Sequence, residues 1–239
     1  MKNIVKKLRD RLVDTGYVIS TSSWQGTKTP PAMVEIPHVS EVVKMLEDPK
    51  ELSDAVNAKQ PWANIHFKER TQGYATNPDP SHEMWASSTH DYKLDDTKFS
   101  HTYSERMWPS ALLPKGIRFK TGDLYTLVQL LQKEPDTRQA YMPMYLHEDL
   151  TAALEGERVP CSLGWHFIIR NGTLDVMYTM RSCDAMRHLQ NDIYFANKLA
   201  LWVREQAGLE VKMGVLHLVI TSLHCFQQDI AIYKKGLIK

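Results

Sequence analysis

Trp165-His166-Phe167-Ile168-Ile169-Arg170, then Asn171-Gly172, then Leu174-Asp175-Val176-Met177-Tyr178 is the stretch on which the fold turns. Two apolar, β-branched runs separated by Asn-Gly predict a β-hairpin with a type I′ turn, whose central residues both need φ > 0. The second run continues through Thr179-Met180 into Arg181-Ser182-Cys183-Asp184, so the hairpin delivers a guanidinium and a hydroxyl to a strand end. Val159-Pro160-Cys161 precedes the first run. Pairing of the strands therefore brings a thiol beside the guanidinium although twenty residues separate them.

At 239 residues and 27.5 kDa, with 43% hydrophobic residues, the chain supplies the core of one domain spanning residues 1–239. No run of eighteen apolar residues exists, and Met1-Lys2-Asn3-Ile4-Val5-Lys6-Lys7 lacks the apolar centre of a signal peptide. A soluble cytoplasmic protein without a membrane partner is expected. Three cysteines suggest no disulfide framework, and none has the paired spacing of a zinc site, so free thiols and no metal are expected. A net charge of +1, from 29 basic and 28 acidic residues, leaves no footprint for a nucleic-acid polymer. A mononucleotide, whose phosphate needs only a few local cations, is compatible.

Periodicity predicts a helix over residues 4–14 and a strand at Tyr17-Val18-Ile19, followed by a loop at Gly26-Thr27-Lys28-Thr29-Pro30-Pro31. Met33-Val34-Glu35-Ile36 alternates like a strand; Val39–Leu46 and Glu51–Ile65 read as largely helical, with Pro61 near a turn or first helical position. Thr71–Phe99 is polar and predicts long loops. A helix opening at Gly122-Asp123-Leu124 stops at Pro135, Tyr141–Tyr145 is a strand candidate, and Leu150–Glu157 a loop or short helical turn. Ile193, Ala196, Leu199, Ala200 and Val203 mark one face of a buried helix ending near Gly208, and Val215–Ile220 is a buried strand.

Pro160-Cys161, the hairpin, Arg181-Ser182-x-Asp184, a carboxylate eleven residues after the arginine, and Ser222-Leu223-His224 together resemble the thymidylate synthase and deoxycytidylate hydroxymethylase family. The resemblance is clear from residue 100 to 230 and weak before it. It implies an α+β fold with a large twisted mixed sheet flanked by helices, dimerising through sheet faces, and 5,10-methylenetetrahydrofolate as cofactor. It also implies roles. Cys161 adds to C6 of the pyrimidine, because a soft thiolate adds reversibly, and Tyr103 relays a proton near C5. On its own Cys161 reads as a small buried hydrophobe; Pro160 and the converging Arg181 reverse that. Arg181 and Ser182 bind the phosphate, as do Lys28 of the Gly-x-Lys-Thr loop and Arg138, which reaches the partner subunit's site. Gln139 stands where the family has a second arginine. Trp85 and Asp184 contact the folate, His188 stands where the family prefers glycine and would crowd or contact the folate, and His224 binds the sugar hydroxyl, with Phe226 in place of the family's tyrosine.

Asp192 selects the base. Thymidylate synthases carry asparagine there, which serves uracil; a carboxylate accepts from the 4-amino group of cytosine and repels O4 of uracil. Asp192 also suits the N-cap of a helix beginning at Ile193. The family's essential glutamate, matched on the apolar pattern of Trp62–Phe67, falls on Ala63. Glu69 or a water held by Asn64 is left to carry the proton relay, unless the match is displaced or activity is lost. Met180, Asn191-Asp192 and the Gly-x-Lys-Thr loop look closest to phage-type dCMP hydroxymethylases. The expected reaction is hydroxymethylation of dCMP. Its rivals are dCMP methylation, giving dihydrofolate, and an inactive nucleotide- or folate-binding relic.

Overall fold

The computed structural model describes residues 1, 3–20, 31–84, 99–108 and 123–238. Lys28 and Trp85 lie outside them, as does most of the Gly26–Pro31 loop. In chain order the elements are α1 (Ile4–Thr15), β1 (Tyr17–Ile19), β2 (Met33–Lys44), α2 (Pro49–Val56), α3 (Trp62–Thr71), a 3₁₀ turn (Pro80–Met84), α4 (Tyr103–Met107) and α5 (Asp123–Lys133). β3 (Tyr141–Pro143), α6 (Glu148–Leu154), β4 (Ser162–Arg170), β5 (Thr173–Asp184), α7 (Leu189–Gln206), β6 (Lys212–Phe226) and α8 (Gln227–Lys234) follow. The α+β fold is as expected.

Asn171 and Gly172 hold φ of 50° and 73° and leave Arg170 opposite Thr173, the geometry of a two-residue type I′ hairpin. The sheet runs β1-β2-β6-β5-β4-β3, with β5 and β6 parallel and all other neighbours antiparallel. Parallel neighbours need a crossover, and α7 supplies it. Its Leu189, Ile193, Ala196, Leu199, Ala200 and Val203 are buried with Leu174, Val176, Tyr178 and Met180 of β5 in one core. Trp165 stacks on its register partner Tyr178, centroids 4.7 Å apart and planes at 9°, a pairing that adds about 0.5–1.5 kcal/mol beyond burial. The opposite face of the sheet is open: Val42 is 57% and Met177 41% exposed.

One expectation is corrected and two are refined. Val39–Leu46 is not a helix; β2 continues through it, pairing Val39 with Ile220 and Lys44 with Val215. Apolar residues at 39, 42, 43 and 46 fit a helical period, but the partner strand decided, because both faces of β2 carry apolar residues and its alternation is hidden. Glu51–Ile65 divides into α2, capped by Asp48 and ended by left-handed Asn57, and α3, which starts after Pro61. The buried strand at Val215–Ile220 is the middle of the much longer β6. All three cysteines are free, and among the described residues no helix is long and apolar enough to cross a membrane.

Candidate active site

The register of β4 against β5 places the cysteine. Ser162 lies opposite Met180, and one residue outward the Arg181 amide donates to the Cys161 carbonyl at 2.9 Å. The Arg181 guanidinium reaches back over the loop, its Nε donating to the Pro160 carbonyl (2.8 Å) and Nη2 to that of Val159 (2.9 Å). Nη2 is 3.9 Å and the Ser182 hydroxyl 3.6 Å from the Cys161 sulfur. Two donors thus face the sulfur, an arrangement from which a thiolate accepts. Ser162, the next residue, joins two phenols: its Oγ is 2.6 Å from the Tyr178 hydroxyl and 3.2 Å from that of Tyr103. Tyr103 opens α4, whose N-cap Thr102 forms a reciprocal capping box with Glu105. Burial, and the neighbouring Cys161, push the Tyr103 phenol up, so it stands protonated beside the thiol.

Asp184 ends β5 and builds the turn into α7. Its Oδ1 accepts from the amides of Met186 (2.9 Å) and Arg187 (3.0 Å), and its carbonyl from His188 (2.9 Å). Arg9 of α1 clamps this turn from behind, through the carbonyls of Ala185 and Met186 and the side chain of Gln190. α7 therefore starts at Leu189, four residues before the expected Ile193, and its N-cap is His188. Asp192 is thus inside the helix and is not a cap, which leaves its carboxylate to the cavity. Burial pushes Asp192 up to about 6; Arg70 opposes this, and the Cys183 thiol donates to Oδ2 at 3.4 Å. His188 also lines the cavity, its imidazole pushed down to about 3 by burial and by the cations Lys59, Arg158 and Arg187.

The third wall is α3. Trp62, His66 and Arg70, at i, i+4 and i+8, line the cavity, whereas Ala63 and Phe67 join the core. The polar side chains that α3 offers the cavity are thus those of His66 and Arg70, not of a residue at Ala63. Arg70 Nη2 donates to His66 Nε2 (2.9 Å), so the ring proton sits on Nδ1, facing Glu69 Oε2 (3.0 Å) and Ser81 Oγ (2.9 Å). Burial and the Arg70 charge hold His66 neutral. Glu69 stands behind it, accepting from the Ser81 amide and hydroxyl. Asn64 faces α7 instead, accepting from Tyr194 and Lys198, and is not on the wall of this cavity. His66, Glu69 and Asp79 have metal-ligand spacing, but Thr76, Ser81 and Ser104 already donate to both carboxylates and Arg70 supplies the positive charge. The trio is a hydrogen-bond network.

These walls enclose a cavity of about 190 Å³, lined also by Phe99, His101, Arg158 and Phe195. Cys161, Tyr103, Ser182, Asp184, His188 and Asp192 all line it. Arg158, His66 and Arg70 were missed, because a loop arginine and a polar helix face carry no motif. Arg181 stands behind the cysteine with most of its donors engaged. His224 lies opposite Asp184 in the sheet, its Nδ1 3.4 Å from the Ser222 carbonyl, and is not on the cavity wall. Arg187 lies 4.5 Å over the ring of Phe226 and pairs with Asp229. Arg138 is exposed, and its carbonyl accepts from His166 on the open side of the sheet, away from the cavity.

Cys161, just before β4, and Asp192, on the crossover helix, line one cavity, and residues 76–239 match the Thymidylate synthase family. The chain belongs to that family, whose members transfer a one-carbon unit from folate to C5 of a pyrimidine nucleotide. Among solved structures, thermostable thymidylate synthase A from Bacillus subtilis superposes with a TM-score of 0.70, covering 99% of this chain and 84% of its own at 14% identity. That likeness shows the fold. No curated protein sequence matches the chain.

Proposed function

We propose that this chain is a dCMP hydroxymethylase, nearer the phage-type enzymes than the synthases, forming one catalytic unit over residues 1–239. The observation that carries the reading is Asp192: a carboxylate, free of capping duty, on the cavity wall with Cys161. Ionised, it accepts from the 4-amino group of cytosine and finds no donor on O4 of uracil. Cys161 Sγ would bond to C6 and make C5 nucleophilic toward the one-carbon unit; loss of the C5 proton would then release tetrahydrofolate, and addition of water to the exocyclic methylene left on the ring would expel the sulfur. Tyr103, held by Ser162, is placed to move that proton. Ser182 and Arg158 on the cavity wall supply phosphate donors, Arg181 adds charge from behind Cys161, Lys28 and the partner subunit's Arg138 add more, and His224, off the wall beside Asp184, would meet the sugar only where the nucleotide extends past that wall.

The cavity suits a folate. Asp184 offers its second carboxylate oxygen to a pterin N–H beside His188, and Trp62, Phe99 and Phe195 provide flat walls, with Trp85 assigned to the same role. 5,10-Methylenetetrahydrofolate supplies the carbon and, in a methylating enzyme, hydride as well. Hydroxymethylation needs an ordered water at the cavity, and His66, Asp79, Ser81, His101 and Thr102 provide a polar wall to hold one. The open sheet face bearing Val42 and Met177 supports a homodimer, with Arg138 beside it to reach across.

Mass spectrometry of the product made from dCMP and methylenetetrahydrofolate tests the reading. Gain of CH2O without dihydrofolate is expected. Gain of CH2 with stoichiometric dihydrofolate would make the chain a dCMP methyltransferase, and absence of product with bound nucleotide would make it a relic.

A further inference from the structure

Arg70 is buried to 4% exposure, yet it takes part in none of the ion pairs among the described residues. Its guanidinium carbon lies 4.2 Å from the Tyr103 ring centroid and 4.4 Å from that of Phe195. Nη2 donates to His66, and Nε has no partner. A cation so far from water needs compensating charge nearby. Three carboxylates feel it: Glu69 beside it on α3, and Asp79 and Asp192, which line the same cavity, Asp192 lying one turn of α7 before the Phe195 ring that Arg70 covers. Two have other support. Glu69 accepts from the amide and hydroxyl of Ser81, and Asp79 from the hydroxyls of Thr76 and Ser104. Among the described residues the one hydrogen-bond donor to Asp192 is a thiol, Cys183 at 3.4 Å.

We propose that Arg70 is the counter-ion that keeps Asp192 ionised, and that it thereby sets the preference for a base bearing an exocyclic amine over one bearing a carbonyl. The second half rests on the reading of Asp192 given above. An ionised carboxylate only accepts; a protonated one donates, and would welcome O4 of uracil. The other groups acting on Asp192 do not replace Arg70. From β5, burial holds Tyr178 and Cys183 protonated, and Asp184 adds a like charge. Tyr103 on α4 is neutral, as are His66 on α3 and His188 before α7. Arg70 is a specificity-determining residue, acting through Asp192.

Two measurements separate the halves. In unliganded protein with 13C-labelled aspartate, assigned by Asp192→Asn, the Asp192 carboxyl should titrate near 6. In Arg70→Met the midpoint should rise by about one to three pH units, the usual effect of one adjacent opposite charge, while Arg70→Lys should stay near wild type. Arg70→Gln repeats the test if the methionine variant does not fold. An unmoved midpoint in a folded neutral variant overturns the counter-ion, whatever the enzyme turns over. The ratio of tritium release from 5-tritiated dCMP and dUMP should fall about tenfold per pH unit below the midpoint, following the ionised fraction. In Arg70→Met that loss should already be present at neutral pH. A moved midpoint with an unmoved ratio overturns the link to base choice and, with it, Asp192 as base reader.

Discussion

The two walls of the cavity differ in how they are built. The wall of β4, β5 and the start of α7 places Cys161, Arg181, Ser182, Asp184 and Asp192 by strand register and one tight turn. The wall of α3, the 3₁₀ turn and α4 places His66, Glu69, Arg70, Asp79 and Tyr103 by side-chain hydrogen bonds between segments far apart in sequence. The first wall carries the family's motifs. The family match begins at residue 76, and α3 lies before it. The first wall, with Asp79 and Tyr103 of the second, lies within the matched residues, and α3, whose buried polar groups hydrogen-bond to one another and to the 3₁₀ turn, lies outside them.

Breaking the first wall should cost the most activity. Cys161→Ser should lower tritium release from 5-tritiated dCMP by at least about 10³-fold, since serine at neutral pH supplies almost no alkoxide. Nucleotide binding, followed by calorimetry, should persist. Retained turnover would place the nucleophile elsewhere.

Arg138 tests whether a third region, from another subunit, completes this wall. Arg138→Ala should weaken dCMP binding by about tenfold or more, the loss of one charged hydrogen bond. Mixed with Cys161→Ser under conditions of subunit exchange, it should recover about a quarter of wild-type activity: half of the random pairs are mixed and each has one intact site. No recovery after proven exchange, or a native protein that sediments as a monomer, would remove Arg138 from the site.

Asp192→Asn should invert the base preference from dCMP to dUMP, by about tenfold or more, because a neutral amide both donates to O4 and accepts from N3-H. An unchanged ratio would mean that the first wall does not read the base.

The smallest effect on chemistry, and a clear one on stability, should come from Glu69→Gln in the second wall. The amide cannot accept from both Ser81 groups and the His66 Nδ1-H at once, so unfolding should become easier by about 1–3 kcal/mol in denaturant titrations. The pH dependence has a definite sign. Burial raises Glu69 above its ordinary value of 4.5, so the folded wild type binds its proton more tightly than the unfolded chain. Wild-type stability from this group therefore rises as pH falls toward 4.5, and the gap to Glu69→Gln should widen between pH 7 and pH 5. A gap that narrows would show that Glu69 is ionised and stabilised in the fold.

The hairpin, the cysteine beside its arginine, the hydroxyl and carboxylate that follow, and the α+β class were all legible in the chain. Asn-Gly has one favoured turn, and that turn sets the register from Arg170–Thr173 to Gly164–Thr179; an irregularity between Gly164 and Ser162 then shifts it by one residue and puts Cys161, rather than Ser162, beside Arg181. The helix read at Val39–Leu46 failed because apolar residues on both faces of β2 hide the strand period until β6 lies beside it. The cap read at Asp192 failed because Asp184 and Arg9, residues 175 apart in the chain, together start α7 one turn early. Arg70 and His66 carried no signal for the same reason. A buried charge takes its meaning from the groups that surround it, and Tyr103, Ser81, Phe195 and Asp192 are brought to α3 only when the chain has folded.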